Sequence, residues 1–195
     1  MPNPASTPDW LVPALVVASY LLGSLSPGWW LARRAGVDLR QKGSGVTGAS
    51  NAGRVLGMKG YVAVLILDTA KAMAAVYAAH WLAPEAPWGL LVVPAVVAGH
   101  IWPVWLGFKG GRGAAPLLGA FLAVNFWIVL YAFIPGAVAW AILRKGFATK
   151  AAAFASSLPI ACWLVPAAPG RAALVLAWLL VLLAHRQYFG KTLTR

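Results

Sequence analysis

The sequence has very few acidic residues and few charged residues of either sign. Asp and Glu number 4 among 195 residues, against 16 Lys and Arg, and charged residues make up 10% of the chain, whereas a soluble domain carries about 25%. Cysteine is also scarce: the single Cys162 lies in an apolar run and predicts neither an intramolecular disulfide nor a metal cluster. These shortages exclude a disordered chain, a soluble nucleic-acid-binding module and an ordinary cytosolic enzyme.

Apolar residues make up most of the chain. They make up 61% of the chain, and the mean hydropathy is +0.76. Because a spanning helix needs about 20 mostly apolar residues, we predict an all-α, polytopic membrane protein with about seven transmembrane or membrane-embedded helices in a single domain, residues 1–195. The predicted spans are residues 10–31, 60–83, 88–108, 151–165 and 172–184, with 114–143 forming two short or tilted helices that turn near Asn125.

The positive charges are concentrated in four segments. Lys and Arg fall mostly in residues 33–59, 109–113, 144–150 and the tail 185–195. Excess Lys and Arg marks the cytoplasmic side, so we expect the N-terminus outside and the C-terminus in the cytoplasm. Residues 1–9 have no basic stretch, so no cleaved signal peptide is expected. We therefore interpret the net charge of +12 as a signal for membrane orientation and as an attraction for anionic lipids or phosphorylated substrates, rather than for nucleic acid.

The first basic segment is rich in glycine and hydroxyl groups. A formal GxGxxG pattern occurs at residues 43–48, but no predicted strand precedes it, which argues against a dinucleotide fold. Glycines let backbone N–H groups approach phosphate oxygens, so this segment is suited to binding a phosphate. The alternative interpretation of the segment is a flexible basic loop without a ligand. The candidate phosphate-binding residues are Gly43, Gly45, Gly48, Ser50 and Asn51, with Ser44 and Arg54 as candidate catalytic residues.

A second glycine-rich segment follows the third span. Lys109 and Arg112 alternate there with Gly110, Gly111 and Gly113. Alone, this pattern indicates a stop signal on the cytoplasmic side. Two such segments on one membrane face favour a phosphate site, so we take both cations as candidate catalytic residues and the glycines as phosphate-binding.

Ionisable residues also occur inside the predicted spans. Asp68 and Lys71 are three residues apart, so they share a helix face and can pair. Such residues in a membrane are costly and indicate function, although a structural ion pair between helices is equally open. His100 precedes Pro103 in the third span, where it either bonds unwound backbone or acts as a base. His185 opens the tail at the cytoplasmic boundary, and no metal-ligand spacing is present.

The order of these motifs resembles one family, the bacterial acyl-phosphate:glycerol-3-phosphate acyltransferases of the PlsY type. The shared motifs are Gly-Ser-Gly through Gly-Ala-Ser-Asn and Arg at 43–54, Asp68-x-x-Lys71, Gly99-His100-x-x-Pro103, Phe108-Lys109-Gly110-Gly111-Arg112-Gly113 and His185-Arg186. The resemblance implies a multi-pass inner-membrane enzyme that moves a fatty acyl group from acyl phosphate to glycerol 3-phosphate. It implies lysophosphatidic acid as the product, phospholipid synthesis as the context, and neither a metal nor a cofactor. Ser44, Arg54, Lys109, Arg112 and His185 would then contact substrate.

Several positions depart from the family pattern, and four of them bear most directly on activity. Val46 replaces an asparagine, Arg112 a lysine and Tyr188 an asparagine, and Ala152 ends a segment in which the family carries a serine. Two alternatives therefore stay open. One is an acyltransferase with a different acceptor, and the other is an inactive paralogue that serves as a structural subunit among other membrane proteins.

Overall fold

The computed structural model describes residues 7–192 and side chains as far as Arg186. Helices joined by loops make up this part of the chain, which contains no strand and confirms the predicted all-α fold class. Short 3-10 turns lie at Leu39–Gln41, Gly89–Leu91 and Val104–Leu106. The α-helices are α1 (Leu11–Ser24), α2 (Pro27–Arg34), α3 (Ala49–Leu82), α4 (Val92–Ile101), α5 (Ala114–Val124), α6 (Phe126–Leu143), α7 (Gly146–Leu164) and α8 (Ala168–Thr192).

Six segments of the described chain are long and apolar enough to cross a membrane. They are Leu11–Arg34, Ala49–Leu82, Gly89–Leu106, Phe126–Leu143, Gly146–Leu164 and Ala168–Arg186. The shorter apolar helix α5 is the seventh membrane segment, and its 11 residues span about 16 Å. The chain is therefore an integral, multi-pass membrane protein with the predicted number of membrane segments.

The predicted turn near Asn125 is confirmed. Asn125 is extended, with φ −164° and ψ 111°, and its Oδ1 accepts the Trp127 N–H at 3.0 Å to begin α6. Of the two short or tilted helices expected in residues 114–143, α5 is short, whereas α6 has 18 residues and is long enough to cross the membrane alone.

The starts of α7 and α8 also differ from the prediction. α7 begins at Gly146, so Lys150 lies inside this helix. A lysine is tolerated there because its long side chain can reach the membrane interface from near a helix end. α8 begins at Ala168, so the predicted turn at 166–170 is partly helical. Pro169 lies in its first turn, where a missing N–H costs no hydrogen bond.

Helix α4 is the centre of the bundle. Val92, Val93, Val96 and Val97 are completely buried, and α4 packs against α1, α3 and α8. α1 and α4 approach so closely that a Cβ at Gly23 or Gly99 would overlap the backbone of the other helix. This close packing fixes the C-terminal end of α4, from which the second glycine-rich segment departs.

Candidate functional site: two joined glycine-rich segments above a buried ionic network

The segment between α2 and α3 is folded around the side chain of Asn51. This residue is 0% exposed. Its Oδ1 accepts the Ser44 N–H at 2.8 Å. Its Nδ2 faces three backbone carbonyls, those of Leu39 at 3.0 Å, Lys42 at 3.0 Å and Val46 at 2.8 Å. The amide of one side chain thus shapes the loop from both sides.

Glycine is required where this loop bends. Gly43 and Gly45 have φ of +59° and +72°, a region that L side chains rarely adopt. A Cβ at Gly43 would in addition overlap Asn51 Oδ1. The two glycines that we predict as phosphate-binding therefore have a structural reason to be glycine, and both are exposed.

Asn51 corrects one sequence prediction. We predict it as a donor to substrate phosphate, but its amide is buried and bonded to the loop backbone. Its role is to hold the loop, and the loop presents the other groups. Val46, at one of the family departures, contributes only its carbonyl to this contact.

Ser50 and Arg54 do not lie in a loop. Gly48 caps α3, and both residues occupy its first two turns, because nothing breaks the helix until Gly57, where φ is +75°. Both side chains are exposed, as predicted for groups that meet a ligand. The spanning part of α3 begins after this interruption, close to the predicted start at residue 60.

The second glycine-rich segment runs alongside the end of α4. The N–H of Gly110 donates to the Ile101 carbonyl at 3.1 Å, and that of Gly111 donates to the His100 carbonyl at 3.0 Å. A Cβ at Gly110 would lie 2.9 Å from that Ile101 carbonyl. Gly113 has φ +83° and begins α5.

The two glycine-rich segments are joined directly. The N–H of Thr47 donates to the Gly110 carbonyl at 3.2 Å. Gly48 faces Gly111, since a Cβ on Gly48 would lie 3.9 Å from the Gly111 Cα. Two segments that are about 60 residues apart therefore form one continuous surface of backbone and small side chains, and the cations on both segments belong to one region.

Helix α8 brings His185 to this region. Gly113 packs against Val181 of α8, and the His185 ring bonds the Val181 carbonyl through Nδ1 at 2.8 Å. The guanidinium of Arg112 is close enough to His185 for their charges to interact. Lys109 is exposed, whereas Ser44, Arg112 and His185 are half-buried. The Tyr188 side chain lies outside the described residues.

One cation of the first segment is already neutralised. Arg40 Nη2 lies 2.7 Å from Asp38 Oδ2, and the Arg40 N–H donates to Asp38 Oδ1 at 3.0 Å. These bonds from Arg40 lower the pKa of Asp38 to about 2, so the carboxylate stays charged at neutral pH. Arg40 therefore closes the turn at Leu39–Gln41 and is not among the cations offered to a ligand.

Below the glycine-rich segments lies a buried ionic network. Lys71 Nζ is 2.8 Å from Asp68 Oδ1, which confirms the pairing that the spacing predicts. The same ammonium donates to the carbonyls of Gly23 at 2.8 Å and Leu25 at 2.7 Å. The Gly23 carbonyl needs this donor because the residue four positions on is Pro27, which has no N–H. Lys71 thus completes the break between α1 and α2.

His100 is the third member of the network. Its Nδ1 lies 3.2 Å from Asp68 Oδ1 and 3.1 Å from Lys71 Nζ. Lys71 Nζ therefore contacts the Gly23 and Leu25 carbonyls, Asp68 Oδ1 and His100 Nδ1, so the three ionisable side chains meet at one point. The side chains of Asp68, Lys71 and His100 are 1%, 6% and 4% exposed. Within the part of the chain that the structure describes, no three His, Cys, Asp or Glu side chains form a metal-binding group.

Sequence reasoning missed three of these contacts. Thr47 is buried, and it is its backbone that joins the two segments. The Tyr20 hydroxyl donates to the Trp102 carbonyl at 2.8 Å and ties α1 to the end of α4. The union of His100 with Asp68 and Lys71 was also not anticipated. Its one signal is that each is an ionisable residue in an apolar run.

Comparison with known proteins gives a consistent result. The glycerol-3-phosphate acyltransferase family model matches residues 13–195. A curated relative, the glycerol-3-phosphate acyltransferase of Anaeromyxobacter dehalogenans (strain 2CP-C), is 44% identical over 143 residues, 71% of either chain. The glycerol-3-phosphate acyltransferase 1 of Desulfitobacterium hafniense (strain Y51) is 37% identical over 186 residues, 93% of this chain and 90% of that protein.

Solved structures show the same fold. The chain is similar to the crystal structure of PlsY (YgiH), an integral membrane glycerol 3-phosphate acyltransferase, in its glycerol 3-phosphate form. The TM-score is 0.83 and the identity 31%, over 94% of this chain and 92% of that one. The lysophosphatidic acid form matches with a TM-score of 0.81 and 30% identity.

Proposed function

Because the chain belongs to the glycerol-3-phosphate acyltransferase family, we propose that it transfers a fatty acyl group from acyl phosphate to glycerol 3-phosphate. The product is lysophosphatidic acid, for phospholipid synthesis. The observation that carries this proposal is the direct joining of the two glycine-rich segments by the Thr47–Gly110 hydrogen bond of 3.2 Å. It gathers the cations of both segments around one place, which suits two phosphorylated substrates.

The chemistry requires positioning rather than a strong protein nucleophile. A glycerol 3-phosphate hydroxyl attacks the acyl carbon, the C–O bond to phosphate breaks, and inorganic phosphate leaves with the electron pair. The hydroxyl proton passes to a phosphate oxygen. Because acyl phosphate is already activated, alignment and charge stabilisation account for much of the lowered barrier.

Each candidate residue receives a role from its position. Arg54 and Lys109 are exposed cations, suited to binding the phosphate of glycerol 3-phosphate. Arg112, just before α5, and His185, on α8, are assigned to the phosphate that leaves. Ser44 and Ser50 supply hydroxyl donors, and the exposed Gly43 and Gly45 let phosphate oxygens approach the backbone. The predicted phosphate-binding glycines 110, 111 and 113 are buried, so their role is to shape the second segment.

We propose that this face is cytoplasmic and that the membrane is the bacterial inner membrane. The first and second glycine-rich segments and the end of α8 come together, and they carry most of the positive charge. The positive-inside rule then places the N-terminus outside and the C-terminus in the cytoplasm. An 11-residue α5 paired with a full-length α6 returns the chain to the same side.

The test uses purified protein in detergent with labelled glycerol 3-phosphate and palmitoyl phosphate. We expect lysophosphatidic acid as product, and we expect Arg54→Ala to lose most of this activity through a higher KM for glycerol 3-phosphate. Arg171→Ala is the matched control, since this exposed arginine lies at the opposite end of α8. Near-normal kinetics for Arg54→Ala contradict the assignment of Arg54.

Two further arms separate the alternatives. Product from palmitoyl-CoA but not from palmitoyl phosphate contradicts the proposed acyl donor. Consumption of palmitoyl phosphate only with another acceptor contradicts glycerol 3-phosphate as the acceptor. Folded protein that is inactive with every acceptor and co-purifies with other membrane proteins in fixed ratio supports the structural-subunit alternative.

A further inference from the structure

We propose that His100 is a positioning residue for phosphate binding: held in place by Asp68 and Lys71, it fixes the Gly110–Gly111 segment in the shape that binds glycerol 3-phosphate. The proposal rests on the proposed function, because glycerol 3-phosphate is the ligand whose affinity it concerns. It assigns a function to a buried ionic network that the acyl-transfer chemistry itself does not use.

The His100 side chain lies directly against Gly111. A Cβ placed on Gly111 would overlap His100 Nε2, would lie 2.7 Å from its Cε1 and 3.0 Å from its Cδ2. The same histidine accepts the Gly111 N–H through its own carbonyl at 3.0 Å. Backbone and ring of one residue therefore hold Gly111 from two sides.

The ring itself cannot turn away. Its Nδ1 lies 3.2 Å from Asp68 Oδ1 and 3.1 Å from Lys71 Nζ, and Asp68 is 1% exposed, so rotation would take the ring nitrogen away from both buried ionic partners. Lys71 contacts the same oxygen of Asp68 and is bonded to the end of α1 through the Gly23 and Leu25 carbonyls. The position of the imidazole is therefore set by three helices.

The constraint passes from Gly111 to the rest of the site through backbone contacts. Gly110 is bonded to Thr47 of the first segment, and Gly48 faces Gly111. A shift of Gly111 therefore disturbs the junction of both glycine-rich segments and moves Lys109 and Arg112, its near neighbours in sequence. Small displacements of binding groups have large effects, since about 1 Å can cost about 100-fold in rate.

The experiment compares Gly111→Ala, His100→Asn and the double variant in detergent-purified protein. Asparagine can still donate to Asp68, but it is shorter than histidine and vacates the space of Nε2. The readouts are the Kd for glycerol 3-phosphate by titration calorimetry, and the KM and kcat of acyl transfer.

We expect Gly111→Ala to weaken binding by at least about tenfold. His100→Asn should weaken it less, and the double variant should bind more tightly than Gly111→Ala alone because the new Cβ fills the vacated space. The KM for glycerol 3-phosphate should follow the Kd, with kcat less affected.

Gly89→Ala is the matched control. Gly89 begins the turn Gly89–Leu91, beyond the far end of α3, where a Cβ would make ordinary contacts at 3.7 and 3.9 Å, and we expect an unchanged Kd. A double variant that binds no better than Gly111→Ala overturns the proposal. So does a fall in the yield of folded protein with an unaltered Kd, which indicates a structural role alone.

If Gly111→Ala does not fold, His100→Asn decides by itself, because an unchanged Kd in that variant overturns the proposal. Failure of the proposed function looks different. In that case the wild-type protein neither binds glycerol 3-phosphate nor forms lysophosphatidic acid, and both proposals fall. A wild-type enzyme that binds and turns over normally while the variants show no compensation overturns the positioning role alone.

Discussion

The clearest single prediction concerns Asn51, whose amide supports the first glycine-rich segment. Asn51→Asp keeps the size and shape of the side chain and retains an oxygen for the Ser44 N–H, which lies 2.8 Å from Oδ1. It replaces the Nδ2 donor with an oxygen that faces the carbonyls of Leu39, Lys42 and Val46 at 2.8–3.0 Å. The substitution therefore removes donors without creating a cavity.

The magnitude follows from the protons that are lost. The amide carries two, so two hydrogen bonds to buried or partly buried carbonyls disappear, and each group left unsatisfied costs about 1–3 kcal/mol. The loss is about 2–6 kcal/mol before the cost of a buried carboxylate is added. A domain of this size shifts its Tm by about 2–4 °C per kcal/mol, so we expect a decrease of at least about 4 °C and a raised KM for glycerol 3-phosphate.

The assay is thermal unfolding in detergent, and Asn125→Asp is the matched control. At Asn125 the side chain only accepts, from the Trp127 N–H at 3.0 Å, and aspartate caps a helix about as well as asparagine. That variant should stay within about 0.5 kcal/mol of the wild type. If Asn51→Asp has the same Tm as the control variant and an unchanged KM, the loop does not depend on the Asn51 donors and this reasoning is wrong.

Two further predictions concern single cations. Arg112→Lys restores the residue usual in the family and should keep or raise the rate of acyl transfer; complete loss of activity contradicts this and indicates a rebuilt pocket. Lys71→Met leaves a buried carboxylate with one partner fewer and frees the Gly23 and Leu25 carbonyls, so it should cost about 3–5 kcal/mol in thermal unfolding. Lys59→Met, at an exposed lysine of the same helix, is the control, and equal Tm values for the two variants refute the expectation.

The features predictable from the sequence are those with a local signal. Runs of apolar residues give the spans, and a polar Asn125 inside one of them gives the turn that the structure confirms. The i, i+3 spacing of Asp68 and Lys71 is enough to predict their pairing, because helix geometry alone brings them together. The order of the motifs is enough to identify the family.

The contacts that escaped prediction depend on direction or on distance along the chain. An asparagine beside glycines has the same chemistry whether it faces a phosphate or the backbone of its own loop, so the sequence cannot decide the case of Asn51. His100 is 29 residues from Lys71, and only the packing of α4 against α3 brings them within 3.1 Å. Helix α3 extends from Ala49 because the glycine that interrupts it is Gly57 rather than those of the preceding loop.

The break between α1 and α2 has a consequence for the order in which the protein is assembled. The Gly23 carbonyl has no helical donor because Pro27, four residues on, has no N–H. The donor that replaces it, Lys71, follows 48 residues later in the chain. A free carbonyl is costly where no water is present. During synthesis, the first span therefore precedes the residue that completes its hydrogen bonding, and its broken form becomes stable only when α3 has entered the membrane beside it.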